Sequence, residues 1–113
     1  MRRYCLACDL KDNPELIAEY KRYHAAGNTW PEITESIKDA GILDMEIYLT
    51  GNRLFMIMEV DETFDFLRKA RMDADNPRVQ EWEKLMSQFQ QLLPWAGKGE
   101  KWVVMEKIFK LQQ

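Results

Sequence analysis

The chain has 113 residues, enough for one domain of ordinary size and too few for a cofactor-binding domain beside a separate substrate domain, so residues 1–113 are read as a single unit. Hydrophobic residues make up 46% and aromatics 12%, so the chain can bury roughly two-thirds of its unfolded surface without disulfides or a structural metal, which excludes intrinsic disorder. Sixteen basic and nineteen acidic side chains give a net charge of -3 with no basic stripe, which argues against nucleic acid and a membrane surface as partners.

The opening residues reach Asp9 too soon for a signal-peptide core, and no apolar run approaches the length of about 18 residues that a membrane span needs; a cytoplasmic protein is expected. Tyr4, Leu6 and Cys8 alternate with Cys5, Ala7 and Asp9, which predicts a first strand. On that strand Cys5 and Cys8 point to opposite faces, so they are read as two small apolar side chains and not as a redox pair or half a zinc site. Asn13-Pro14-Glu15 then offers a cap, a proline at the first helical position and an acid in the first turn, opening a helix that runs to about His24. Gly27 breaks the pattern, and Thr29-Trp30-Pro31-Glu32 reads as a capping box for a second helix that ends at Gly41.

A long hairpin follows, with arms Ile42 to Thr50 and Arg53 to Val60 around Gly51-Asn52. In the first arm Leu43, Met45, Ile47 and Leu49 are expected on one face, with Asp44, Glu46, Tyr48 and Thr50 on the other. The second arm, Leu54-Phe55-Met56-Ile57-Met58, is apolar on both faces and calls for cover on both sides. Asp61 to Leu93 is helical with a break near Asn76-Pro77, and its second part carries a stripe of Val79, Trp82, Leu85, Met86 and Phe89 up to Pro94. Lys101 to Leu111 alternates again and reads as a fourth strand. The expected class is α+β: a ferredoxin-like β-α-β-β-α-β antiparallel sheet with broken helices on one face, of the dimeric α/β-barrel type in which two sheets pack face to face.

The chain lacks a glycine-rich phosphate loop, a Gly-x-Ser-x-Gly elbow and paired metal-ligand motifs, which excludes most well-marked enzyme classes. One constellation stands out. Tyr20 and His24 lie one helical turn apart, and Trp30-Pro31 follows closely. A His beside a Tyr hydroxyl and an indole suits a sugar site, because rings stack on the C–H face of a pyranose while polar tips take its hydroxyls. Plain core packing of the His and of Trp82, Trp30, Trp95 and Trp102 is the competing reading.

The runs Tyr20-Lys21-Arg22-Tyr23-His24, Trp30-Pro31-Glu32, Ile47-Tyr48-Leu49 and Trp82-Glu83-Lys84-Leu85-Met86 resemble the L-rhamnose mutarotase family, from the first strand to about Pro94. The resemblance implies a homodimer that interconverts the α and β anomers of a deoxyhexose without metal or cofactor. It also implies His24 as the catalytic proton donor, Tyr20 as a substrate contact and Trp82 as one of the tryptophans lining the sugar site. Two positions depart from the rhamnose pattern: Met45 stands where that pattern has a Tyr, and Glu83 where it has a second tryptophan. Losing a hydroxyl and an indole changes which sugar hydroxyls find partners, so L-rhamnose is the first expectation for the substrate and L-fucose or another sugar the alternative. A cofactor-independent monooxygenase and a haem or small-ligand module of the same fold, with His24 as axial ligand, are the competing functions.

Overall fold

A computed structural model describes residues 2–112. The elements run β1 (Arg2–Leu10), α1 (Pro14–His24), α2 (Pro31–Asp39), β2 (Ile42–Thr50), β3 (Arg53–Val60), α3 (Phe66–Ala74), α4 (Pro77–Ser87), β4 (Gln90–Gln91) and β5 (Val103–Val104). The sheet is antiparallel in the order β2-β3-β1-β4, with β5 also pairing along β1. This is the ferredoxin-like arrangement expected from the sequence, with each of the two helical connections split into two helices.

Alternation explains why the helices cover one side. Leu6, Cys8 and Leu10 of β1 and Leu54, Met56, Met58 and Val60 of β3 are buried in two adjoining clusters with Tyr20, Ile33, Val79, Trp82, Met86 and Phe89. Phe55 and Ile57, on the opposite face of β3, are only half-buried, so the second apolar face lacks the helical cover of the first. Side-chain caps fix three helix starts: Asn13 accepts from the backbone of Glu15 and Leu16, Asp65 from Arg68, and Asn76 from Arg78 and Val79.

Four local expectations need correction. The capping box at Thr29 does not form. Proline disfavours helical geometry in the residue before it, so Trp30 is non-helical (φ -59°, ψ 129°), α2 starts at Pro31, and the Thr29 hydroxyl donates to the Tyr23 carbonyl instead. The β2 pattern is broken by a bulge between Ile42 and Asp44, which leaves Leu43 exposed and only Met45 and Ile47 half-buried; Leu49 is exposed because β2 is an edge strand. Helix α4 stops at Ser87, well before Pro94, because Gln90 and Gln91 pair with Leu10 and Asp9 and extend the sheet. The last strand is short: Val103 and Val104 pair with Ala7 and Leu6, the Met105 N–H donates to the Cys5 carbonyl, and residues 106–112 make no ladder.

Candidate functional site

Helix α1 closes on His24, and the chain turns out of the helix at Ala25 (φ -66°, ψ 153°). The four-residue step from Tyr20 brings the two rings into a stack with centroids 4.2 Å apart. His24 Nδ1 lies 2.8 Å from the Tyr20 carbonyl oxygen. A carbonyl only accepts, so Nδ1 carries the proton, and in the neutral ring Nε2 keeps a lone pair. Burial lowers the His24 pKa below its ordinary 6.5, and the bond to the Tyr20 carbonyl only partly opposes this. The resting imidazole is therefore neutral at physiological pH, with Nε2 available to accept a proton.

A cavity of about 600 Å³ opens beside these residues, within the size range of small-molecule sites. Tyr20 and His24 of α1, Thr29 of the following loop, Thr34 of α2 and Met45 and Ile47 of β2 are among its walls. Lys21, Lys38 and Asp44 are its exposed charged residues. The mixture of apolar wall and scattered hydroxyls and charges suits a polyhydroxy ligand that is apolar on its C–H faces. Tyr20 is 3% exposed, and burial, followed by the neighbouring Cys8, pushes its phenol up, with the Gln90 side chain facing the hydroxyl. It stays protonated across the physiological range and can act only as a hydroxyl donor or acceptor there.

The structure thus brings His24 and Tyr20 together on one cavity wall. Trp82 is placed differently: it is 8% exposed, belongs to the core cluster, and meets His24 from behind with ring centroids 5.6 Å apart and planes at 65°, without lining the cavity. Glu83 lies on the exposed face of α4 within reach of Gln80, away from the cavity. Sequence reasoning missed Thr29, Thr34, Lys21 and Lys38 as lining residues; the only available signal was their closeness to His24 and Trp30, which does not say which side chains turn inward. Both cysteines are free, and burial, aided by Asp9, pushes the Cys8 thiol up to about 12. Among the described residues no group of three or more His, Cys, Asp or Glu side chains is gathered to hold a metal ion.

Comparison with known proteins identifies the family and the fold. The family model for L-rhamnose mutarotase matches residues 3–111. The chain is 45% identical over 113 residues to an L-fucose mutarotase from Xanthomonas campestris, covering all of this chain and 90% of that protein. It is 37% identical to a UPF0734 protein of Dictyostelium discoideum, over 97% of this chain and 90% of the relative. Among solved structures, an L-rhamnose mutarotase from Formosa agariphila superposes with a TM-score of 0.70 at 22% identity, covering 99% of this chain and all of that one. The type-II polyketide cyclase tetracenomycin F2 cyclase of Streptomyces glaucescens shares the fold with a TM-score of 0.61 at 13% identity, covering 100% of this chain and 99% of that one. The chain belongs to the L-rhamnose mutarotase family and is a carbohydrate isomerase of the mutarotase type.

Proposed function

We propose that the protein interconverts the anomers of a 6-deoxy-L-hexose, with L-fucose favoured over L-rhamnose, and that His24 carries the proton. The observation behind this reading is the imidazole on the wall of a sugar-sized cavity, its Nδ1 committed to the Tyr20 carbonyl and its Nε2 without a hydrogen-bond partner among the described residues. L-fucose is favoured because the 45% identity to an L-fucose mutarotase spans the whole chain, and because Met45, half-buried on the cavity wall, lacks the hydroxyl of the rhamnose pattern. The family match favours this reading over the oxygenase and haem-binding alternatives.

The reaction needs one proton to leave the anomeric hydroxyl and one to reach the ring oxygen. In the forward step Nε2 takes the O1 proton, the O–H electron pair becomes the second bond of the C1 carbonyl, and the C1–O5 bond breaks with its electrons on O5. The imidazolium then returns its proton to O5. The open aldehyde rotates about C1–C2, and the reverse sequence closes the ring on the other face of C1. The depressed pKa makes His24 enter as base and act as acid on the return stroke, so the donor role expected from the sequence is half of a cycle. Tyr20 serves as a substrate contact at the cavity wall with its phenol protonated, and Trp82 serves the site through its contact with His24.

A homodimer and a reducing, cytoplasmic setting belong to the same proposal. Support comes from the half-buried Phe55 and Ile57 on the sheet face opposite the helices and from the free thiols of Cys5 and Cys8. Saturation-difference NMR of anomer exchange, with L-fucose, L-rhamnose and common D-hexoses in parallel, tests the reaction. Exchange on a 6-deoxy-L-hexose that disappears in His24→Ala is the expected result, and undiminished exchange in that variant overturns the assignment.

A further inference from the structure

We infer that Arg78, Trp30 and Trp82 form a positioning chain that reaches from the surface of α4 to the back of the His24 ring and holds that ring in its working orientation. This rests on His24 being the proton carrier. His24 is the last residue of α1, and the chain leaves the helix immediately after it, so helical geometry alone does not fix the side chain. One face of the imidazole is held by the Tyr20 ring, and Nδ1 by the Tyr20 carbonyl. The remaining constraint comes from Trp82 on a different helix.

Trp82 is itself gripped from two other directions. Tyr23 meets it edge-on at 6.2 Å and 87°, and Trp30 does so at 5.2 Å and 68°. Such edge-to-face contacts are directional, so moving one ring moves its neighbour. Trp30, the N-cap residue of α2, is half-buried against the core cluster and needs a group on its outer side to complete its cover. That group is Arg78. Its guanidinium carbon lies 4.0 Å from the Trp30 ring centroid, Nε donates to Glu32 at 2.6 Å, and Nη1 donates to Glu81 at 2.8 Å. Two carboxylates therefore set the plane of the cation that covers the indole. Arg78 and Trp82 are one turn apart on α4, so a single helix face carries both ends of the clamp.

Both carboxylate partners are substantially exposed, and ion pairs of that kind add little to stability. A network that adds little to folding yet leads through Trp30 and Trp82 to the proton carrier acts on orientation. The charged and titratable groups around the two hollows that His24 borders are Tyr20 and Lys21 of α1, Glu35 and Lys38 of α2, and Asp44 and Tyr48 of β2; neither hollow is lined by a titratable residue of α4. The contact from α4 to His24 is therefore one of aromatic packing. That packing is part of the burial that depresses the imidazole pKa.

Because His24 is the only histidine, its ring nitrogens give one unambiguous set of ¹⁵N signals, which report tautomer and ring mobility without any turnover. The test compares the parent with Arg78→Met, Arg78→Lys, Trp82→Phe and His24→Ala, by imidazole NMR and by anomer exchange on L-fucose and L-rhamnose. Arg78→Met should lower kcat about tenfold while KM stays within about twofold, the pattern of a misaimed catalytic group. Its imidazole signals should move from a fixed Nδ1–H tautomer toward an average of the two. Arg78→Lys keeps the charge but loses the planar group seated by Glu32 and Glu81 over Trp30, and should recover only part of both properties. Unaltered imidazole signals and kcat in Arg78→Met overturn the inference. So does Trp82→Phe raising KM alone, which would make Trp82 a sugar contact. The failures are separable: exchange surviving in His24→Ala sinks the proton-carrier reading and the inference with it, whereas loss of exchange there beside an unaffected Arg78→Met sinks the inference alone.

Discussion

His24 donates its Nδ1 proton to the Tyr20 carbonyl at 2.8 Å while lying against the Tyr20 ring at 4.2 Å, so one residue supplies two of the contacts that hold the imidazole, one at Nδ1 and one at a ring face. Catalysis by the neutral ring has a definite pH signature. The rate of anomer exchange should rise as pH increases through a pKa below 6.5, when imidazolium gives up its Nε2 proton, and stay level over about pH 7 to 8. An exchange-rate profile whose acid limb is centred above 6.5 would contradict the burial that lowers this pKa.

The same shift links pH to folding. The unfolded chain binds a proton at His24 near 6.5, while the folded chain binds it only at lower pH, so between these values the unfolded state holds more protons. His24 thus costs no stability above 6.5, and the folded state is weakened as pH falls from 6.5 through the lower folded pKa. Urea midpoints measured from about pH 7 down to about pH 5.5, a window above ordinary carboxylate titration, should decline in the parent and be flatter in His24→Gln. Equal slopes in the two proteins would show that the ring is not desolvated.

Much of this arrangement was legible in the residues. The period-two runs of β1 and the hairpin, and the Asn-Pro openings of α1 and α4, are local signals, and the structure follows them because short-range hydrogen bonds and dihedral limits decide those positions. The stack of His24 on Tyr20 followed from a four-residue step on one helix. What escaped depends on packing between distant segments. Gln90 and Gln91 read as helix, yet pairing with Leu10 and Asp9 outweighs that pattern. Trp82 reads equally well as core or sugar platform, and only the arrival of Trp30 and Tyr23 against it decides which side of His24 it occupies.

Sugar choice should respond to Met45. Its half-buried side chain sits on the cavity wall opposite the helices, where a longer ring with a hydroxyl would both narrow the space and offer a hydrogen bond. Met45→Tyr should shift the ratio of kcat/KM for L-rhamnose over L-fucose upward by about tenfold, the order expected when one buried polar group finds a partner or is left without one. Exchange rates for both sugars, taken side by side at several concentrations, give that ratio directly, and an unchanged ratio would remove Met45 from the specificity argument.

Gly41 and Gly51 offer a matched pair for the backbone. Both have positive φ, 93° and 57°, but a Cβ at Gly41 would fall 2.6 Å from Asp61 Oδ1 and 2.8 Å from Thr63 Oγ1, while a Cβ at Gly51 meets nothing within 4 Å. Asp61 cannot simply retreat, because its Oδ1 accepts from both the backbone and the hydroxyl of Thr63. Gly51→Ala should cost about 1 kcal/mol from the left-handed backbone alone. Gly41→Ala adds a clash to the same backbone cost and should destabilise by about 2 to 3 kcal/mol, lowering Tm by roughly twice as much or more. Thermal melts of the two variants that coincide would mean that the Asp61 turn adapts freely.

The end of the chain makes the last prediction. Beyond Met105 no further rungs form on β1, and Ile108, Phe109 and Leu111 are 88%, 70% and 86% exposed. Each such side chain gains roughly 1.5 to 3 kcal/mol when fully removed from water, so three close together on an extended segment favour association. Phe55 and Ile57 are half-buried on the sheet face opposite the helices, and Phe55 and Met105 also line a broad hollow of about 900 Å³ whose other walls include the charged Arg2, Arg3, Glu59 and Lys107. A second copy of the chain placing its own sheet and tail there would bury both apolar sets at once. Sedimentation of the full chain should give a dimer at micromolar concentration, and a chain ending at Val104, or carrying Ile108→Asp with Phe109→Asp, should dissociate at least tenfold more readily, a loss of about 1.4 kcal/mol or more. A compact monomer for the full chain under those conditions would leave the exposed tail and the outer sheet face without the partner that this pairing requires.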